Sequence, residues 1–193
     1  MDASVPVFLG WSGDASKAAL MQYGVHDGSG FPFSYLEIAG PGGTDRYFYE
    51  YSCYEEETNE EWMVWRAKEA AKAAGIPGDN TGTKLKVKLV DTLRLCCSDC
   101  PATLKKYSCG DEMFYLEETT CEGDPYVWPR GTVKGTWKGK EIFAFSLEGN
   151  GFSWWPEEAY SYKGKVALIL GHLEPGFEGS DTRFNLVVFE PRK

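Results

Sequence analysis

The sequence predicts a mostly β chain of the α+β class, with antiparallel sheets or a barrel arranged about one clear helix. Three observations carry that prediction. Twenty-two glycines and ten prolines are scattered between short apolar runs in 193 residues, the punctuation of many turns. Apolar and polar residues alternate with period two in several runs, most plainly where Leu85, Val87 and Leu89 interleave with Lys84, Lys86 and Lys88. The clearest helical repeat lies near 60–74, where Met63, Ala67, Ala70, Ala71 and Ala74 form an apolar stripe flanked by Trp62 and Trp65. A hydrophobic content of 42% with 15% aromatics supports a packed core and excludes a disordered chain.

Taken in order, Val5–Leu9 reads as a short apolar strand. Asp14 is a fair N-cap and Gly24 a fair stop for a short helix near 15–23. Phe33–Ala39 and Arg46–Tyr54 read as two strands joined by a Gly40-Pro-Gly-Gly43 turn, with Tyr47, Tyr49, Tyr51 and Cys53 on one face. Thr58 and Glu61 fit a capping box, and Gly75 with Pro77 ends the main helix. Further strands are expected at Met113–Thr119, Thr132–Trp137, Lys140–Leu147, Lys165–His172 and Arg183–Glu190. The last four fall in about sixty residues, which suits a small SH3-like barrel at the C-terminal end. Composition and charge both change near Asp124-Pro125. The chain accordingly divides into an acidic α+β region with a cysteine cluster over 1–124 and a barrel-like region over 125–193, unless the two are continuous.

The formal charge of −9 is uneven. Residues 1–129 hold 11 Lys/Arg against 21 Asp/Glu, and residues 130–193 hold 9 against 8. Phosphate contacts need clustered cations, so the acidic front half argues against a nucleic-acid surface, and only weak contact is allowed at the C-terminal region. No apolar run approaches the length of a bilayer span, and no membrane partner is expected. Met1-Asp-Ala-Ser-Val-Pro lacks the features of a signal peptide, and no glycosylation sequon is present. The expectation is an intracellular location, cytoplasmic or nuclear.

Five of the six cysteines fall between 96 and 121. Cys97-Ser-Asp-Cys100 is a knuckle that brings two sulfurs to one ion, and Cys109 and Cys121 can complete a tetrahedron, so these four are the candidate ligands of a structural zinc. Six cysteines also allow three disulfides or free thiols. Cys97 and Cys100 before Pro101 further resemble a thioredoxin-type dithiol, although Asp99 opposes thiolate formation. Heavy-metal-associated domains likewise carry Cys-x-x-Cys ahead of a Leu-Lys-Lys helix, as Leu104-Lys-Lys106 stands here.

The most informative stretch runs from Gly139 to Pro156. A strand carrying Ile142-Phe-Ala144 leads to a glycine-bearing bend and then to Gly151-Phe-Ser-Trp-Trp-Pro156. This resembles the opening of a PWWP domain, whose pattern is a Gly-x-x-Val-Trp-Ala strand followed by Gly-(Tyr/Phe)-(Pro/Ser)-Trp-Trp-Pro. The likeness covers roughly residues 131–190. It implies an SH3-like barrel in which Phe152 and Trp155 wall a cage for methylated lysine while Trp154 packs inward. A cation held over an aromatic face gains about 0.5–2 kcal/mol per contact. The sequence departs from the family at Leu168-Ile-Leu-Gly171, where leucine replaces a third aromatic wall.

The expected function is therefore a non-enzymatic binding module with an aromatic pocket, for a chromatin-type peptide carrying methyl-lysine. The alternative is a protein that binds carbohydrate or an apolar small molecule on Tyr47, Tyr49 and Tyr51 together with the tryptophans. Two histidines, no paired carboxylates and no phosphate loop provide no catalytic set. Gly10-Trp-Ser-Gly-Asp14 approaches a nucleophile elbow but has Asp14 where the pattern wants glycine. No cofactor other than the zinc is expected.

Overall fold

The computed structural model describes residues 4–25, 32–40, 43–50, 60–95, 101–121, 130–148, 151–176 and 179–191. Its strands are β1 (Val5–Trp11), β2 (Ala18–Val25), β3 (Pro32–Gly40), β4 (Gly43–Glu50), β5 (Thr83–Leu85), β6 (Val87–Leu95), β7 (Ala102–Cys109), β8 (Glu112–Cys121), β9 (Arg130–Trp137), β10 (Lys140–Ser146), β11 (Phe152–Tyr162), β12 (Lys165–Gly176) and β13 (Gly179–Phe189). The helix α1 (Glu60–Ala73) stands between β4 and β5. The α+β, mostly β class is what the chain adopts, with antiparallel pairing throughout the described strands.

The strands form three open sheets of order β1-β2-β3-β4, β10-β9-β8-β7-β6 and β13-β12-β11-β5, so no barrel closes among the described residues. The expected C-terminal barrel is replaced by strands shared between two sheets. β9 and β10 pair with β8 and its neighbours, while β11, β12 and β13 recruit β5 from far upstream. β8 and β9 pair from Phe114–Trp137 to Cys121–Arg130, across the 124/125 division.

Three apolar clusters stack the layers. On one side of the first sheet, Leu9, Ala19, Met21, Leu36 and Ile38 pack against Ala67 and Ala71 of α1. The opposite side, with Phe8, Trp11, Ala18 and Leu20, meets Ala167, Ile169, Phe184 and Leu186 of the β13-β12-β11-β5 sheet, which is thereby central. Its far side, with Trp154, Val166, Leu168 and Leu170, meets Phe114, Leu116, Val133 and Phe143 of the five-stranded sheet. β12 is consequently buried without interruption from Val166 to His172, because alternate residues enter different cores.

The same two-sided burial explains one correction. The expected helix near 15–23 is instead a turn followed by β2, in which Ala18 to Gln22 are all buried. A short continuous apolar run carries no periodicity to separate strand from helix, and tertiary burial on both faces decides for strand. The turn is organised by Asp14, whose carboxylate accepts bonds from Ser12 Oγ at 2.7 Å, Ser16 N at 2.9 Å and Ser16 Oγ at 2.7 Å. Those bonds, the Ser12 hydroxyl first, hold its pKa far below the ordinary carboxylate range. Ser12 Oγ in turn accepts from Lys17 N at 3.0 Å, so this hydroxyl is committed to the turn.

Two further differences come from strands that change partners. Leu85, Val87 and Leu89 do not line one face of one strand. The run breaks at Lys86, where β5 joins the central sheet and β6 the five-stranded one. Leu104-Lys-Lys106 lies in β7, paired on both sides, and not in a helix of the heavy-metal-associated kind.

Candidate functional site

The Trp-Trp segment opens β11, and its geometry follows from a bulge. Phe152 pairs with Leu173 and Trp155 with Gly171, a register shift that lets two residues three apart stand opposite β12 residues two apart. Phe152 and Trp155 therefore project to the same side, which a regular strand would forbid. Ser153, at the bulge, has φ of 53°. A buried carboxylate from β8 pins it: Glu118 Oε1 accepts from Ser153 N at 2.7 Å and Oε2 from Trp154 N at 3.1 Å. Lys105 Nζ donates to Trp154 O at 2.9 Å from the neighbouring strand.

Trp154 turns the other way and is completely buried. It stacks between Phe145 (ring centroids 5.6 Å apart) and His172 (4.3 Å, interplanar 15°), and its Nε1 donates to Gly151 O at 3.2 Å. Two glycines make this packing possible. A Cβ on Gly171 would stand 2.4 Å from the Trp155 ring, and one on Gly151, whose φ is 82°, would stand 2.2 Å from His172. Trp155 is half-buried over Gly171, and its Nε1 donates to the exposed Glu157 Oε2 at 2.8 Å. No aromatic contact joins Phe152 to Trp155 among the described residues.

The other sequence candidates are dispersed. Tyr47 is 44% exposed at the edge of the first sheet, opposite Leu36, and Tyr49 pairs with Ser34. Tyr51 lies outside the described residues, as do Cys97 and Cys100 and the side chain of Cys121. Cys109 is buried in the core between the central and five-stranded sheets, and burial pushes its thiol up to about 11. No group of metal-binding side chains gathers among the described residues.

Two features escaped the sequence reading. The first is a polar cluster where the outer edge of β13 meets the first sheet, around a cavity of about 120 Å³. Gln22 Nε2 donates to Phe184 O at 2.7 Å and its Oε1 accepts from Phe184 N at 3.0 Å. Glu37 Oε2 accepts from Leu186 N at 2.6 Å, while its Oε1 pairs with Arg46 Nε at 2.8 Å. Two side chains thus take the place of a neighbouring strand. Burial pushes Glu37 above the ordinary carboxylate range, more than the Arg46 charge draws it down. His172 Nε2 lies 3.0 Å from Glu174 Oε1, and His172 Nδ1 has no partner. Gln22 and Glu37 are single polar residues in otherwise apolar runs, and nothing near them in sequence marks their partners.

The second feature is a groove beside α1. The alanine stripe lets the helix sit close to the first sheet, with Met63, Ala67 and Ala71 fully buried. Val64 and Trp65 are too large for that contact and stand at its margin, where the groove opens against Val7, Met21 and Tyr23. Its volume is about 530 Å³, Glu61 and Lys68 flank it, and Trp65 is 53% exposed. The helical stripe with tryptophans on its flank was the sequence signal, but only the packing distance reveals a hollow. No family model, curated protein or solved structure matches the chain. No described helix is long and apolar enough to cross a membrane.

Proposed function

We propose that the protein is a non-enzymatic binding module that holds an apolar, ring-bearing small molecule in the groove beside α1. The observation that carries this reading is the groove's combination of size and lining. At about 530 Å³ it falls in the range of about 300–1,000 Å³ typical of small-molecule sites. Val7, Met21, Tyr23, Val64 and Trp65 provide the apolar wall, and a half-open indole provides a stacking face. Glu61 and Lys68 supply one charge of each sign at the rim, suited to orienting a single polar group. The polar cavity at β13 is less suitable, since about 120 Å³ admits only a few waters and most of its side chains already have partners.

The test is titration with indole- and naphthalene-bearing probes and with simple sugars, followed by tryptophan fluorescence. Trp65→Ala should weaken ring-bearing probes at least tenfold without shifting the melting temperature. Unchanged affinity in that variant would remove the groove from consideration.

One observation favours a second reading. The Glu118-pinned bulge sends Phe152 and Trp155 to one side with the Glu157 carboxylate against the indole, a pairing that suits a cationic ligand. This is the surface that methyl-lysine recognition would use. A trimethyl-lysine peptide should then bind the parent protein and fail to bind Trp155→Ala. Equal binding by the unmethylated peptide would leave the segment as packing.

A further inference from the structure

Among the described residues β6 is an outer strand of the five-stranded sheet, bonded to β7 on one side only. Every residue from Lys88 to Leu95 is exposed, including Leu89 at 50%, Val90 at 50%, Leu93 at 53% and Leu95 at 38%. Leu93 and Leu95 stand opposite Leu104 and Ala102, so the apolar strip continues onto β7. A bulge at Val90 limits the regular run to Asp91–Leu95. An open apolar edge is a template for another strand.

The charge around this edge selects the kind of strand. β6 and β7 together carry Lys88, Arg94, Lys105 and Lys106 against Asp91, in a chain whose net charge is −9. Lys106 lies over the Tyr115 ring at 5.8 Å, and Lys105 is spent on Trp154 O, which leaves Lys88 and Arg94 to meet a newcomer. A second copy of β6 is a poor partner. Antiparallel pairing about a two-fold at Asp91 sets Asp91 against Asp91. Moving the axis to Thr92 sets Asp91 against Leu93, which relieves the repulsion without any charge match.

We propose that β6 is a docking edge for an extended acidic segment of a partner protein, one that alternates Glu or Asp with apolar residues and adds as a sixth strand. Main-chain bonds supply affinity, and the apolar residues on alternate positions cover Leu93 and Leu95. The acidic residues on the other positions meet Arg94, while the bulge turns Lys88, opposite Ser108, to the face of Leu93 and Leu95 at the end of the strip. The site is separate from the α1 groove, so either can fail alone.

The probe is a fluorescein-labelled eight-residue peptide alternating glutamate and valine, read by fluorescence anisotropy with the full chain. Its counterpart has lysine in place of glutamate. The acidic peptide should bind at least tenfold more tightly than the basic one and weaken as salt is raised. Thr92→Pro, which blocks edge pairing, should weaken it at least tenfold. Leu93→Glu should do the same with an unchanged melting temperature, so a fold lost to proline does not blunt the test. Equal binding of both peptides, binding of neither, or full binding to Leu93→Glu would overturn the proposal. Dimerisation of the parent protein that Leu93→Glu abolishes would instead give the edge to a second copy.

Discussion

β13 and β6 are both outer strands, yet the molecule treats their free edges in opposite ways. At β13 the outward-facing groups of Phe184 and Leu186 are bonded by Gln22 and Glu37, side chains that reach across from the first sheet. At β6 the strand lies against solvent with four large apolar residues open. The difference teaches how an edge can be closed without another strand: one amide and one carboxylate reproduce the donors and acceptors of a ladder. It also shows what closure costs, because Glu37 must be taken out of water beside Arg46.

The largest effect expected comes from the interior that both edges frame. Trp154→Ala should destabilise the protein by about 3–5 kcal/mol, the usual cost of removing a fully buried large aromatic. It empties the space between Phe145 and His172 that joins the central and five-stranded sheets. Urea unfolding of the variant measures it. A loss below about 1 kcal/mol would mean that the Phe145–Trp154–His172 stack is not what binds the two layers.

At the closed edge, Glu37→Ala and Gln22→Leu should each cost about 1–3 kcal/mol, since each leaves a buried backbone group of β13 without its partner. Arg46 keeps an exposed side chain, so stranding its charge adds little. If both variants melt like the parent protein, β13 is held by its ladder to β12 and its apolar face, and the closed edge is incidental.

How far the sequence revealed these regions depends on whether a signal was local. α1 was legible because the alanine stripe and Gly75 lie within one short run, while Thr58 of the expected capping box lies outside the described residues. β12 and β13 were legible as short apolar runs separated by glycine- or proline-bearing turns. β2 was not, because a segment buried on both faces loses the period that identifies a strand. The open sheets in place of a barrel were not legible either, since β5 finds β11 more than seventy residues away. Among site residues, the opposite orientations of Trp154 and Trp155 follow from strand alternation. The bulge that sends Phe152 to the side of Trp155 depends on Glu118 and could not be read locally. Gln22 and Glu37 gave no signal because their partners are backbone groups about 150 residues further on.

The titration of Glu37 sharpens the same comparison. Its folded-state pKa is raised, so the folded protein binds this proton more tightly than the unfolded chain. The group therefore adds stability at low pH, and that stability is lost as pH rises from the ordinary carboxylate value through the raised one. The groups facing it are Arg46 on β4 and the Leu186 amide and Asn185 on β13. Glu37→Gln removes this titration, so parent and variant should diverge in that window, with the parent losing ground as pH rises. Denaturant melts of both from pH 4 to pH 8 show it. The opposite slope would mean that the Arg46 charge outweighs burial.

The smallest effect is expected at the open edge, and its smallness is the point. Leu93 and Val90 are half-exposed and, among the described residues, bond no partner strand on their outer side, so replacing them with threonine removes little buried surface. Threonine keeps a β-branched shape suited to a strand, which limits any propensity cost. Leu93→Thr and Val90→Thr should each change stability by no more than about 0.5 kcal/mol, the ordinary range for surface sites. The same variants should lower any tendency of the isolated protein to self-associate, because they remove apolar area from the edge. Urea unfolding and sedimentation of the two variants check both statements. A loss above about 1.5 kcal/mol in either would show that the isolated chain already uses this strip for its own packing. β6 would then be closed like β13, and no edge would be left for a partner.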